Sequence, residues 1–300
     1  VVLASMGPLP SAAQRHDAAC IANLHLTTSQ YKLEWMDEPW SDVERAGEWL
    51  LKLADDEHVD LVHLNGYSHA VLPWTKPVVV VAHSCVYSWW HAVHGSRPPQ
   101  AWEHYRHMVE NGLNHASAIV APTESFLACL RRSYTFATPQ HVIANARSAA
   151  DLRSATIKAP FVLASGRLWD EAKNFKILDE AALGLPWPIV AAGETISPNG
   201  TPAGAKRLRC LGTQTRAQLA SLLKRAAIFV HPALYEPFGL SVSEAAHAGC
   251  ALVLADIPTL RELWNGAARF IDPRHSSAVR DALQTLIADD SQRRLLGECA

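Results

Sequence analysis

Short continuous apolar runs alternate with longer amphipathic stretches along nearly the whole chain, and few folds accommodate that pattern. In the first half the runs are "VVLA" (1–4), "VDLVHL" (59–64), "PVVVVAH" (77–83), "SAIVAP" (117–122) and "HVIAN" (141–145). In the second they are "FVLASG" (161–166), "PIVAAG" (188–193), "RLRCLG" (207–212), "AIFVHP" (227–232), "ALVLA" (251–255) and "ARFID" (268–272). Helical periodicity fills 41–55, 99–115, 123–133, 173–183, 215–225, 239–249, 258–264 and 275–288. Strands apolar on both faces, separated by helices, predict parallel sheets covered on both sides. The 300 residues exceed what one core serves, so two Rossmann-like α/β domains of about 150 residues each are expected. We place them at 1–150 and 151–300, with the join in the small, polar stretch "ARSAADLRSATIKAP" (146–160). Ligands of such sheets bind beyond the carboxyl ends of the strands, so the cleft between two of them is the expected site.

Composition narrows the partners. The net charge is −2, and residues 1–150 carry 10 Lys and Arg against 14 Asp and Glu. No basic cluster marks a nucleic-acid surface, and an acidic first half disfavours docking to an anionic bilayer. No apolar run reaches the roughly 18 residues that span a membrane, so no integral membrane segment is expected. The six cysteines lack CxxC spacing and suit buried, reduced thiols in a cytoplasmic protein better than a disulfide frame or a zinc site. After Val1–Ala4 comes "SMGPLPSAAQRHDAA" rather than a Gly-rich turn into a helix, so the first domain is expected to lack its first strand.

Two glutamates carry the chemistry. In "HPALYEPFGLSVSEAAHAGC" (231–250), Glu236 precedes and Glu244 lies within a predicted helix that begins at Gly239. Helix-start amides point outward unpaired, so Phe238, Gly239 and Leu240 are placed to offer N–H donors to a phosphate, with Gly239 permitting close approach. Carboxylates accept from paired sugar hydroxyls; one glutamate for a hexose and one for a ribose suits an extended nucleotide-sugar. In "ASGRLWDEAKN" (164–174), Arg167 and Lys173 follow a buried strand and suit a diphosphate, the one as a fork and the other as a point charge.

Residues 161–272 resemble the donor-binding domain of the family-4 glycosyltransferases, which have the glycosyltransferase-B fold. The motifs that carry the resemblance are "GRLWDEAKN", "LGTQTRAQLASLLKRAAIFVHPALYEPFGLSVSEAAHAG" and "ALVLADIPTLREL", with the glutamates in the family's Glu-x7-Glu arrangement. "VDLVHLNG", "VVVAHS" and "HVIANA" match more loosely in the first half. The resemblance implies sugar transfer from a nucleotide-diphosphate sugar to a glycan, lipid or small-molecule acceptor, with retention of configuration, no cofactor and no required metal. It further implies that Arg167 and Lys173 hold the diphosphate, Glu236 the sugar hydroxyls and Glu244 the ribose. The Phe238–Leu240 amides would hold sugar or phosphate oxygens, and the base would lie near Gly193 and Leu211–Thr213 (Leu211 and Thr213). His83 ends a buried strand where the family often has a histidine near the reacting sugar. Asn145 stands where the family commonly has Pro-Asn-Gly, and Trp89 or Trp90 is placed to stack on an acceptor sugar. The histidines of "HAVH" and "HYRH" are read as surface decoration of helices rather than metal ligands. Two rival readings are a nucleotide-sugar-binding protein without turnover and a nucleotide-sugar 2-epimerase; the latter requires acid and base groups at the sugar's C2, which this layout does not supply.

Overall fold

A computed structural model describes residues 1–147, 152, 157–197 and 200–300. The expected boundary at 150/151 and most of the expected linker lie outside the described residues. The chain divides into two compact units, one of Val1–Ser88, Arg97–Ala121 and Leu127–Ile143, the other of Trp89–Ser96, Pro122–Phe126 and Ala144–Ala300.

The first half contains strands β1 (Val2–Ser5), β2 (His25–Thr28), β3 (Val62–Leu64), β4 (Val78–Val81), β5 (Ala118–Ala121) and β6 (Gln140–Val142). Its helices are α1 (Ala12–Ala19), α2 (Trp40–Asp56), α3 (Val86–His94), α4 (Glu103–His115) and α5 (Glu124–Ser133). β1 and β2 form a parallel pair, and β3-β4-β5-β6 a parallel sheet in that order. α2 buries Val43, Ala46, Gly47 and Leu50, the i, i+3, i+4, i+7 stripe that its sequence announces. In α4 the stripe includes Gly112, against which the chain at Tyr67 lies so close that an added Cβ would stand 2.1 Å from the Tyr67 carbonyl oxygen.

The second half contains β7 (Ala159–Ser165), β8 (Ile189–Ala192), β9 (Arg209–Cys210), β10 (Ala226–His231), β11 (Ala251–Ala255) and β12 (Ala268–Ile271). Helices α6 (Phe175–Ala181), α7 (Arg216–Arg225), α8 (Leu240–His247), α9 (Pro258–Trp264), α10 (Ser276–Ala288) and α11 (Asp290–Cys299) surround them. The sheet is parallel throughout, in the order β12-β11-β10-β7-β8-β9. Alternate strand residues feed two apolar layers, as a period of two requires. Val162, Ala164, Ile228, Val230 and Val253 meet Leu178, Leu283 and Leu286 of α6 and α10 on one face. Leu163, Phe229, Leu252 and Leu254 meet Leu223, Val242, Ala245 and Leu260 of α7, α8 and α9 on the other. Thr215 and Gln218 close a capping box that starts α7.

Four elements differ from the sequence expectation. α1 and α11 bury no residue, so they have no apolar face to announce them; β2 is four residues, none of them buried; and the period of α3 is blurred by Tyr87, Trp89 and Trp90. All six cysteines are free, but only Cys85 and Cys250 are buried; Cys20, Cys210 and Cys299 are exposed. Among the described residues no helix is long and apolar enough to cross a membrane.

Candidate functional site

β7 and β10 are neighbours, yet the chain leaves β7 toward β8 and β9 on one side and returns through β10 toward β11 and β12 on the other. The strand order therefore reverses between β7 and β10, the place where an open parallel sheet leaves a crevice at its carboxyl edge. The loops leaving these two strands carry Arg167, Lys173 and Glu236. At that edge the turns after β7 and β8 run almost backbone to backbone. Gly166 N–H donates to Ala192 O at 3.0 Å, and Gly193 N–H to Gly212 O at 2.9 Å. Gly193 has φ +143°, and a Cβ there would stand 1.7 Å from the Gly166 carbonyl oxygen, so only glycine fits.

Lys173 reaches Glu236 because the short turn Glu171–Lys173 is clamped to the loop after β10. Asp170 accepts from Ala172 N–H at 3.0 Å, which starts the turn. Asn174 adopts a left-handed conformation (φ 57°) that asparagine tolerates, and its Nδ2 donates to the carbonyls of Pro232 and Pro273 at 3.0 and 2.7 Å. Leu234 N–H donates to Ala172 O at 2.8 Å. The Lys173 ammonium then lies 2.7 Å from Glu236 Oε2, and His231 Nε2, at the end of β10, lies 3.0 Å from the same oxygen. The side chains of Glu236 and Lys173 are 12% and 18% exposed. Burial pushes the Glu236 carboxyl up, but the hydrogen bond from His231 and the charge of Lys173 outweigh it and hold the group well below the usual carboxylate range. Thr259 Oγ1 donates to the Glu236 carbonyl and fixes the backbone beneath it.

Past Glu236 the chain turns into α8 at Gly239, whose φ is +90°. A Cβ on Gly239 would lie 3.4 Å from Glu236 Cγ, so the carboxylate's stem rests against the turn. None of the amides of Phe238, Gly239 and Leu240 has an acceptor among the described residues. Phe238 is buried and Leu240 exposed. Glu244 lies one turn into α8, 5% exposed, with Arg147 closing on its Oε1 as an ion pair outside hydrogen-bond geometry.

The other expected residues are placed as follows. Arg167 is 56% exposed; its Nε and Nη2 donate to Asp170 Oδ2 at 3.3 and 2.6 Å, and its guanidinium stacks 5.5 Å from the Trp169 ring. Leu211 N–H donates to Ala191 O at 2.9 Å, which seats the start of the loop holding Thr213 beside Gly193 at the carboxyl edge. In the first unit His83 follows β4, and its Nε2 lies 3.0 Å from Asn65 Oδ1; His63 Nε2 lies 3.3 Å from the same oxygen. Burial first, then His63, holds His83 below the ordinary imidazole value. Asn145 is half-buried. The rings of Trp89 and Trp90 both pack on His94, at 5.5 and 4.5 Å, and His104 packs edge-on against Trp40.

Sequence reasoning missed His231, Asp170, Asn174, Asn65 and Arg147 as members of these clusters. His231 did carry a signal, since a polar ring ends an otherwise apolar strand. Asn174 closes the "GRLWDEAKN" motif as a residue type that accepts positive φ. Arg147 carried none, because its partner lies far along the chain.

Comparison with known proteins matches both halves. Residues 2–149 match the family model described as Glycosyltransferase Family 4, and residues 156–300 that described as Glycosyl transferases group 1. The O-antigen chain mannosyltransferase B of Escherichia coli is 32% identical over 88 residues, which is 29% of this chain and 23% of that protein. The D-inositol 3-phosphate glycosyltransferase of Corynebacterium glutamicum is 30% identical over 124 residues, 37% of this chain and 30% of that protein. A probable sucrose-phosphate synthase of Oryza sativa is 38% identical over 73 residues, 23% of this chain and 7% of that protein. The alignments thus take in under a third of each relative's own length. Among solved structures, sucrose-phosphate synthase from Thermosynechococcus elongatus superposes with a TM-score of 0.79 at 16% identity, covering 99% of this chain and 92% of that one. HepE of Anabaena in complex with UDP-glucose gives 0.76 at 16% identity, covering 98% and 84%. At these identities the likeness speaks for the fold.

Proposed function

This chain belongs to the family-4 glycosyltransferases and has their two Rossmann-like domains, the glycosyltransferase-B fold, and from that premise we propose that it moves a hexose from a nucleotide-diphosphate sugar to a glycan, lipid or small-molecule acceptor with retention of configuration. The observation that carries the reading is the anchored carboxylate of Glu236, bound by Lys173 and His231 at the strand-order reversal, beside the amides of Phe238–Leu240, which have no acceptor among the described residues. A ligand there would meet an acceptor of hydroxyl hydrogens next to donors for phosphate oxygens, the sequence of groups in a nucleotide-sugar.

In this reading the Glu236 carboxylate takes the sugar hydroxyls. Negative charge grows on the leaving diphosphate as the glycosidic bond breaks, and positive groups placed beforehand lower that barrier without reorganising. Lys173, Arg167 and the amides supply them, so no metal is required. Asp170 engages only Nε and Nη2 of Arg167, leaving Nη1 for a phosphate oxygen. Glu244 takes the ribose, which requires exchange with Arg147. The base is assigned to Gly193, Leu211 and Thr213, His83 to the chemistry on the sugar, and the acceptor to the first domain. Retention is assigned to same-face attack assisted by the leaving phosphate; a trapped glycosyl-enzyme adduct overturns that assignment.

A thermal-shift panel of UDP-glucose, GDP-mannose and ADP-glucose tests donor binding, since a ligand at 100 times its Kd stabilises by about 2.7 kcal/mol. Glu236→Ala is expected to abolish transfer while sparing affinity for the free nucleotide. Equal loss of both contradicts the assignment, and binding with neither hydrolysis nor transfer favours a nucleotide-sugar-binding protein.

A further inference from the structure

We propose that His231 is a positioning residue for recognition of the donor sugar: with Lys173 it holds one oxygen of Glu236 and thereby commits the other to the sugar hydroxyls. The inference rests on the reading of Glu236 as the sugar-binding carboxylate.

His231 ends β10, whose other five residues, Ala226–Val230, are apolar and buried. At 3% exposure, an imidazole in that strand carries a desolvation cost that a leucine or phenylalanine would not, unless its polar atoms are used. Here Nε2 is used on Glu236 Oε2 at 3.0 Å. The ring lies nearly parallel to Phe229, with centroids 6.4 Å apart and planes 14° apart. Lys173 Nζ reaches the same oxygen at 2.7 Å, while Oε1 accepts from no described residue and keeps contact with solvent.

A carboxylate held in this way cannot turn about its terminal bond without giving up the imidazole. Its second oxygen therefore presents free lone pairs in a fixed direction. The two donors divide the task. The ammonium is a point charge on a flexible four-carbon stem with rotating donors, so it follows the carboxylate wherever it turns. The imidazole is planar and seated in a buried strand, so it sets the direction. Direction matters because an error of about 1 Å in substrate placement can cost on the order of a hundredfold in rate.

The test compares wild type, His231→Phe, His231→Gln, Glu236→Ala and the His231→Phe/Glu236→Ala double variant. Calorimetric binding of UDP-glucose, GDP-mannose and ADP-glucose is set beside that of UDP, GDP and ADP, with donor hydrolysis followed in parallel. His231→Phe keeps the ring packed on Phe229; if it melts early, His231→Leu takes its place. The expected result is free-nucleotide affinity within about twofold of wild type and donor kcat/KM at least about tenfold lower, with kcat falling more than KM rises. Without turnover, the affinity that the sugar adds over the free nucleotide is the readout. His231→Gln, whose side-chain amide can donate from the place of Nε2, recovers most of the loss. The double variant loses no more than Glu236→Ala, because the two act as one unit. Unchanged donor recognition in His231→Phe, equal loss of nucleotide and donor, no recovery in His231→Gln, or additive losses in the double variant overturns the inference. If Glu236→Ala itself keeps full donor recognition, or wild type tells no sugar from its free nucleotide, the functional reading fails and takes the inference with it.

Discussion

A carboxylate drawn out of water stays an anion only if something replaces its hydration. Glu236 has that replacement in Lys173 and His231, and the consequence is measurable as pH-dependent stability. Its folded-state pKa lies below the ordinary value of 4.5, so its contribution is complete above that value and is lost as the pH falls through the folded pKa. Unfolding free energies of wild type and Glu236→Gln, from chemical denaturation, should therefore differ by about 2 kcal/mol above pH about 5, and that margin should shrink steadily as the pH falls below 4.5. A gap that does not change with pH would show that the pairing contributes nothing through ionisation. At this scale the glutamates were legible because charge stands out in a buried stretch. His231 carried only an ambiguous signal, because a polar ring at a strand end reads equally well as a satisfied core residue.

Strand-to-helix turns do most of the placing. The turn at Gly239 was readable from "EPFGL", since a glycine between a strand and an amphipathic run marks a start. The approach of the turns after β7 and β8 was not, although both glycines were visible, because their contact depends on those strands being neighbours. Gly193→Ala must part the two turns or break the Gly193–Gly212 hydrogen bond. It is expected to cost about 3 kcal/mol or more and to weaken nucleotide binding with it, checked by denaturant melts and calorimetry. Wild-type stability in this variant would contradict the close approach. The elements missed from sequence fail for the converse reason: α1 and α11 sit on the surface with no buried stripe, so periodicity had nothing to report.

Each of the two units has its own sheets and core, and each can be perturbed by itself. Gly112 offers the handle in the first, where a Cβ would press on the Tyr67 carbonyl. Gly112→Ala should lower the protection of the first unit's amides in hydrogen exchange while leaving free-nucleotide affinity in the second within about twofold; a parallel loss of both contradicts independent cores. The sequence alone determined the α/β class with parallel sheets, the order of the strands and helices other than α1, β2, α3 and α11, and which loops carry the charged residues. Burial imprints a local period on the chain, and the "GRLWDEAKN" and Glu-x7-Glu motifs are contiguous. Only the tertiary structure decided that β7 lies beside β10, that Lys173 meets Glu236 from 63 residues away, that His231 shares its oxygen, and that Arg167 and Arg147 are held by Asp170 and Glu244. Periodicity records that a residue is buried, but not what it is buried against. A hydrogen bond is chosen by the few ångströms separating its partners, and those are set by the packing of whole strands.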